Sequence, residues 1–189
     1  KAAKAAGKTD FPIYGEIFDS NPLTTAQFVR NQAFPGVLDF AFQSNVTAFV
    51  TNGRGAEKLV ELFNADDLYT TSTTSAYGLT TFLGNHDMGR IGIFIDNAAS
   101  NDADALAKSK LANALLFLLR GGPALYYGDE KGMIGSGGDK ASRQDMFPTQ
   151  VSYWQDEKRI GSDPIGTRSA FDVRNPLEDQ ITSMQAIIK

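Results

Sequence analysis

The chain has no cysteine and only one histidine, His86, among its 189 residues. The absence of cysteine excludes a disulfide framework, a thiolate nucleophile and a cysteine-based metal site. A lone histidine without a cluster of carboxylates around it in the sequence is a poor set of metal ligands. We therefore expect this chain to hold no metal ion and no cofactor.

Long apolar runs and blocks of like charge are also absent. The longest apolar stretch, residues 111–119, contains Asn113 and is too short to span a bilayer. Lysine and arginine are scattered along a chain whose net charge is −4, and this argues against nucleic acid as a partner. We expect neither a membrane nor a nucleic acid to be a partner. The sequence leaves localisation open. If the chain is part of a longer parent protein, an extracellular or periplasmic location of that protein is compatible with the sequence.

The residues that are present describe a globular α/β protein, with 42% hydrophobic and 21% charged residues. Apolar, β-prone runs alternate with helical patterns, and this alternation predicts a parallel sheet with right-handed crossovers. Four such units cannot close an eight-stranded barrel, so the pattern indicates half of one. The predicted strands cover residues 11–18, 37–42, 79–84 and 123–127. The predicted helices cover residues 24–31, 56–64, 101–120 and 176–188, with loops at 85–100 and 128–175.

Glu16 follows the first predicted strand, within the segment Tyr14-Gly15-Glu16-Ile17-Phe18. Its place between apolar residues predicts that the carboxyl group is half-buried. Burial disfavours the charged carboxylate and leaves a protonated acid that can donate to a glycosidic oxygen. The alternative is a glutamate at a strand end that serves only in a salt bridge.

Asn85, His86 and Asp87 follow the third predicted strand. A neutral histidine can hydrogen-bond a sugar hydroxyl, and an ionised aspartate can stabilise positive charge that develops on a sugar ring. Side chains at the carboxyl ends of parallel strands converge on one face, so Glu16 and Asp87 form a carboxylate pair of the kind used in glycoside hydrolysis. A purely structural role for His86 is the alternative.

Three motifs in this order resemble the α-amylase family of glycoside hydrolases, known as glycoside hydrolase family 13. They are Gly15-Glu16 after a strand, Phe82-Leu83-Gly84-Asn85-His86-Asp87, and Gly122-Pro123-Ala124-Leu125-Tyr126-Tyr127-Gly128-Asp129-Glu130. The resemblance implies strands five to eight of a (β/α)8 TIM barrel, with residues 1–189 forming the C-terminal half of the catalytic domain.

The same resemblance implies a role for each matching residue. Glu16 would be the general acid/base, and Asp87 would be the carboxylate that stabilises the oxocarbenium-like transition state. His86, with Asn85 beside it, would contact the sugar in the central subsite. Asp139 and Arg143, four residues apart after the fourth strand, resemble a pair that family members use to hold more distant glucose units.

One departure from the family pattern is decisive for activity. No Arg-x-Asp motif precedes Glu16, so the nucleophilic aspartate of the family is expected to lie outside this chain, in an N-terminal half of the barrel. Calcium in the parent would likewise be held by residues that are not present here. We therefore expect the chain alone to be inactive and prone to self-association, and the parent to act on α-glucans or oligosaccharides.

Three alternatives to a hydrolase remain open at the level of the sequence. The parent could transfer glycosyl groups to sugars instead of water. The chain could be a half-barrel that binds α-glucan without turnover. It could also be an unrelated α/β protein in which the motifs occur by chance.

Overall fold

The computed structural model describes residues 2–8, 11–53, 55–136 and 138–188. Within these ranges the helices are α1 (Ala2–Ala5), α2 (Pro22–Asn31), α3 (Phe40–Asn52), α4 (Glu57–Asn64), α5 (Ile91–Ala98), α6 (Asp102–Leu118), α7 (Ser152–Gln155) and α8 (Pro176–Ile188). The strands are β1 (Thr80–Phe82) and β2 (Gly122–Ala124). Single 3-10 turns lie at Asp66–Tyr69, Ala76–Gly78, Asp129–Lys131, Asp139–Ser142 and Ala170–Asp172.

Four extended segments lie side by side in sequence order, and all of them run parallel. β1 pairs with β2 in parallel register, with Thr80 opposite Gly122. Single parallel bridges add Leu38 beside Thr80, and Gly15 beside Val37. The backbone hydrogen bonds continue across all four segments, as in the parallel sheet predicted from the alternation of strands and helices.

The first two predicted strands are wrong in extent. Residues 11–18 contribute only the bridge at Gly15, and residues 37–42 pair only at Val37 and Leu38. The second segment ends early because the Asp39 carboxylate accepts a hydrogen bond from the Phe42 N–H at 2.8 Å and so starts α3. The apolar residues that follow Asp39 therefore form the buried face of a helix instead of a strand.

The other two predicted strands are confirmed in position but are shorter than expected. β1 lies within residues 79–84, and β2 begins one residue before the predicted 123–127 and stops at Ala124. The loop predicted over residues 85–100 is also wrong in part, because it contains α5. The stretch 128–175 is largely irregular, as predicted, apart from short turns and α7.

Two further helices begin with polar caps. Asn21 caps α2 and is followed by Pro22 at the first helical position. Asn101 caps α6 by accepting a hydrogen bond from the Asp104 N–H at 3.0 Å. These caps fix the residues at which α2 and α6 begin.

The main core lies between helices α3, α5, α6 and α8 on one side of the parallel segments. Its central side chains, among them Phe42, Val46, Ile95 and Leu116, are almost completely buried. A smaller cluster between α2 and the first segments contains Val37, Tyr69 and Leu79. Helix α3 packs against β1 and against α5 and α6, so the helices pack on one another beside the sheet.

The segment around the first bridge is largely exposed. Phe11, Ile13, Tyr14 and Phe18 expose 54–64% of their surface, although the Phe18 ring also contacts Phe40. Across the described ranges, no helix is both long enough and apolar enough to cross a membrane.

Candidate functional site

The turn that follows β1 is built by Asn85. The backbones of Asn85 and Gly89 exchange two hydrogen bonds of 3.1 Å, which close a tight turn. The Asn85 side-chain oxygen accepts from the N–H groups of Asp87 and Met88 at 3.0 and 2.9 Å. The side chain of Asn85 thus fixes the shape of the turn, and His86 and Asp87 are held at its exposed apex.

Four of the predicted site residues meet in one polar cluster. His86 Nε2 lies 3.3 Å from Asp87 Oδ1, and Arg143 Nη2 lies 3.7 Å from the same oxygen. Arg143 also forms an ion pair with Asp139. Each of these side chains is 44–55% exposed, so the cluster is open to a ligand from solvent. We call His86, Asp87, Asp139 and Arg143 the carboxylate–arginine cluster.

Glu16 lies apart from this cluster and in a different environment from the one predicted. It directly follows the bridged residue Gly15 and is exposed. Within the described ranges, its carboxylate has no hydrogen-bond or ion-pair partner. The expectation of half-burial is therefore wrong, because the residues around it in sequence, such as Tyr14 and Phe18, are themselves exposed.

A pocket of about 350 Å³ lies near the two regions, although neither Glu16 nor a residue of the carboxylate–arginine cluster lines it. Phe18, two residues after Glu16, lines one side of it, and Met88, next to Asp87, lines another. Gln43 and Ser44 from α3 add polar groups to the wall. The pocket thus has lining residues that are close in sequence to Glu16 and to Asp87. Its wall has both aromatic and polar surface, which is a common composition for a ligand pocket.

The buried arginine Arg90 lies beneath the cluster, and sequence reasoning missed its importance. Its side chain is fully buried and forms an ion pair with Asp129 at 2.8 Å. It also donates to Gln144 Oε1 at 2.7 Å and to the Tyr127 carbonyl oxygen at 2.5 Å. In the sequence, the importance of Arg90 is indicated by the place of a charged residue directly before the apolar run that forms α5.

The electrostatics of this buried pair differ from those of the open cluster. Burial raises the pKa of Asp129 to about 6, and the neighbouring Arg90 guanidinium opposes that rise. The guanidinium carbon also lies 4.6 and 5.0 Å from the ring centres of Tyr126 and Tyr127. The two tyrosines therefore pack against a buried cation.

Two aromatic residues of the long loop, Tyr153 and Trp154, have side chains suited either to a sugar platform or to an anchor for the loop. Tyr153 is about half exposed, and its ring packs edge-on against Trp154 at 5.4 Å. Trp154 is partly buried, with its indole N–H enclosed. This geometry favours the anchoring role for Trp154.

Metal ligands do not come together in the part of the chain that the structure describes. No three side chains of His, Cys, Asp or Glu are grouped there so that they could hold an ion. The sequence leaves open whether the parent binds calcium, and the described residues offer no group of ligands for it.

Comparison with known proteins identifies the family. The family model for the alpha amylase catalytic domain matches residues 1–175. An alpha-amylase of Streptomyces lividans is 41% identical over 189 residues, covering 99% of this chain and 21% of that protein. The chain thus spans about a fifth of the length of this curated relative.

Solved structures show the same fold. An Anoxybacillus alpha-amylase superposes with a TM-score of 0.69 at 22% identity, over 96% of this chain and 34% of that one. A cyclomaltodextrin glucanotransferase with a three-domain ABC distribution, CldA, gives 0.68 at 26% identity, over 99% of this chain and 33% of that one. Together with the family match, these similarities show that the chain belongs to the alpha-amylase catalytic-domain family of glycoside hydrolases.

Proposed function

We propose that this chain supplies strands five to eight of the catalytic (β/α)8 barrel of a retaining glycoside hydrolase. Its substrates would be the α-glucosidic linkages of starch-like glucans or oligosaccharides. Support comes from the four parallel segments in sequence order and from relatives that are three to five times longer. The remaining strands, and the nucleophilic aspartate, would come from other residues of the complete protein.

The observation that carries the proposal is the relation between Glu16 and Asp87. Both residues follow the carboxyl ends of parallel segments. Phe18, two residues after Glu16, and Met88, next to Asp87, line the same pocket. A retaining glycosidase has an acid/base and a nucleophile roughly 5–5.5 Å apart across the scissile bond, and of this pair the chain would supply only the acid/base. Glu16 would serve as the acid/base, because it directly follows the first parallel segment and its carboxylate has no ion-pair partner within the described ranges.

Asp87 would stabilise the transition state. It is the one carboxylate of the cluster that both His86 and Arg143 approach, so its charge is held at a fixed place at the apex of the turn. A fixed negative charge stabilises the positive charge that develops on the sugar ring without reorganisation during the reaction. His86 would donate a hydrogen bond to a hydroxyl of the same sugar, and Asn85 would support this contact by holding the shape of the turn.

Asp139 and Arg143 would hold glucose units farther from the cleaved bond. Their ion pair is half exposed, and it lies on the loop that follows β2. Carboxylate and guanidinium groups offer acceptors and donors that match the hydroxyls of a glucan. Because Arg143 also approaches Asp87, a sugar bound there would be aligned with the reaction centre.

Transfer of the glycosyl group to a second sugar is the other candidate activity. It is favoured by the similarity to CldA, a glucanotransferase. The first chemical step is the same for both activities, and the second differs only in whether water or a sugar hydroxyl attacks the glycosyl intermediate.

The experiment is to follow soluble starch by proton NMR as the complete protein acts on it. A retaining enzyme gives products whose new reducing ends are first in the α configuration, before mutarotation. The variant Glu61→Gln, which changes an exposed carboxylate on α4, is the matched control and should behave as wild type. Products that first appear as β anomers, or the absence of any cleavage or transfer, would contradict the proposal.

A further inference from the structure

We propose that Arg90 is a positioning residue for the active site. Its guanidinium group holds together, by hydrogen bonds and packing, three backbone segments that carry the carboxylate–arginine cluster and the residues around it. The inference rests on the proposed function only for its catalytic readout. The structural part concerns one guanidinium group and the segments that it joins.

The first segment is the turn that presents His86 and Asp87. Arg90 directly follows Gly89, which closes this turn by hydrogen bonds to Asn85. A side chain at Gly84 would collide with the Gly89 carbonyl oxygen at 2.5 Å, so the start of the turn packs tightly onto its end. Any displacement of Arg90 is therefore transmitted along a short, closed piece of backbone to Asp87.

The second segment is the turn after β2. Arg90 Nη1 donates to the Tyr127 carbonyl oxygen at 2.5 Å and to Asp129 Oδ1 at 2.8 Å. Gly128, between them, has a φ of +86°, and a Cβ there would collide with Met133 Sδ and lie 3.2 Å from Arg90 Nη2. A glycine is thus favoured at this position by the backbone conformation and by the Met133 side chain, and it lets the backbone lie close to the guanidinium.

The third segment is the loop that carries Asp139 and Arg143. Arg90 Nε donates to Gln144 Oε1 at 2.7 Å, and Gln144 is adjacent to Arg143. Gln144 is itself held by Glu157, which accepts from its amide nitrogen at 2.6 Å. The orientation of Arg143 toward Asp87 therefore depends on a loop that is fixed to Arg90 by a side-chain hydrogen bond.

The shape of the guanidinium group explains why an arginine is used. Its planar fork directs donors at several acceptors in fixed directions, whereas a lysine ammonium is a single point charge on a flexible stem. Arg90→Lys keeps a positive charge for Asp129 but cannot hold Tyr127 and Gln144 in the same geometry. The fold should persist while the three segments move relative to one another.

Arg120→Lys is the matched control. Arg120 is also buried and also forms ion pairs with two carboxylates, Asp39 and Asp66. Arg120 precedes β2, and its partner Asp39 lies beside Thr80 at the start of β1. The turn at Asn85 follows the other end of β1. The two variants thus make the same chemical change at similar burial, and only Arg90 binds the three segments that carry the carboxylate–arginine cluster and its surroundings.

The test compares the complete protein with its Arg90→Lys and Arg120→Lys variants by amide hydrogen exchange and by steady-state kinetics on soluble starch. We expect both variants to lower the melting temperature. Arg90→Lys alone should speed exchange in residues 85–89, 126–132 and 142–146 and lower kcat/KM about 100-fold, with kcat reduced as well as KM raised, since small misplacements of reacting groups have effects of this size.

Two results would overturn the inference. One is equal loss of kcat/KM in the two variants, which would mean that Arg90 contributes only stability. The other is unchanged exchange in the three segments of Arg90→Lys. If the wild-type protein acts on no glucan, the proposed function fails, and hydrogen exchange alone still decides whether Arg90 ties the segments together.

Discussion

The charged residues of this chain differ chiefly in how far they are from water. Arg143 and Asp87 are about half exposed, and their charges remain available to a ligand. Arg90 and Arg120 are buried, and each is paired with at least one carboxylate. A buried charge without a partner is strongly destabilising, so the ion pairs of Arg90 and Arg120 serve the structure. The exposed charges of Arg143 and Asp87 can serve binding.

Tyr69 is the residue whose ionisation should depend most visibly on folding. Burial raises the pKa of its hydroxyl to about 12, against the smaller opposing effect of its hydrogen bond with Thr25. Because the folded-state pKa lies above the unfolded value, this residue contributes its full stability below pH 10. That contribution falls by about 1.4 kcal/mol per pH unit as the pH rises from 10 toward 12.

The prediction for Tyr69 can be checked by ultraviolet titration of tyrosinate absorbance. The difference between wild type and Tyr69→Phe should show one phenol that ionises near pH 12 in the folded protein. A difference curve centred at pH 10 would contradict the burial argument.

Local sequence predicts some of the site residues and not their environments. The turn at Asn85 follows from a short polar side chain at a strand end, and the approach of His86 to Asp87 follows from their adjacency. The exposure of Glu16 could not be predicted, because burial depends on which distant segments cover residue 16. The partners of Arg90 are 37–54 residues away in sequence, so no local pattern indicates them.

At the scale of secondary-structure elements, α3 shows how a cap overrides β-propensity. Residues 40–42 are apolar and aromatic, and they were predicted to continue a strand. Asp39 instead caps a helix through the Phe42 N–H and at the same time pairs with Arg120. The register of the helix then places Phe42 and Val46 in the main core.

The charge on Asp39 should matter more than its capping hydrogen bond. Asp39→Asn keeps a good N-cap but leaves Arg120 with Asp66 alone, so we expect a loss of about 3–5 kcal/mol in the free energy of unfolding. Asp66→Asn should cost less, since the Asp66 side chain is 26% exposed while that of Asp39 is 1% exposed. Urea unfolding measures both, and equal losses would show that burial does not decide the effect.

At the scale of the whole molecule, both edges of the four-segment sheet are bordered by exposed apolar groups. On one edge are the aromatic residues of segment 11–18. On the other, Leu118 is 61% exposed, and a groove of about 880 Å³ runs beside β2. The order of the segments could be predicted from the sequence, whereas the shortness of the strands could not, because strand length in a barrel depends on pairing at both edges.

These exposed edges predict that the 189-residue chain self-associates when it is prepared alone. Burying apolar area contributes about 25 cal/mol per Å², so covering several hundred Å² offsets much of the entropic cost of association. Light scattering at micromolar concentration should give a mass above 20.4 kDa, with strong binding of a hydrophobic dye. The same sample should release no sugar from starch. A compact monomer that binds no dye would contradict this view of the edges.

The central claim is that Glu16 protonates the leaving group while Asp87 stabilises the transition state. The most direct test compares kcat/KM of the complete protein and its Glu16→Gln and Asp87→Asn variants on starch and on an aryl maltooligoside with a good leaving group. Glu16→Gln should lose about 10²–10⁴-fold more activity on starch than on the aryl substrate in the glycosylation step, because a good leaving group needs no proton. Asp87→Asn should lose the same factor on both substrates. If the two variants lose activity in the same proportion on both substrates, the account of the site is wrong.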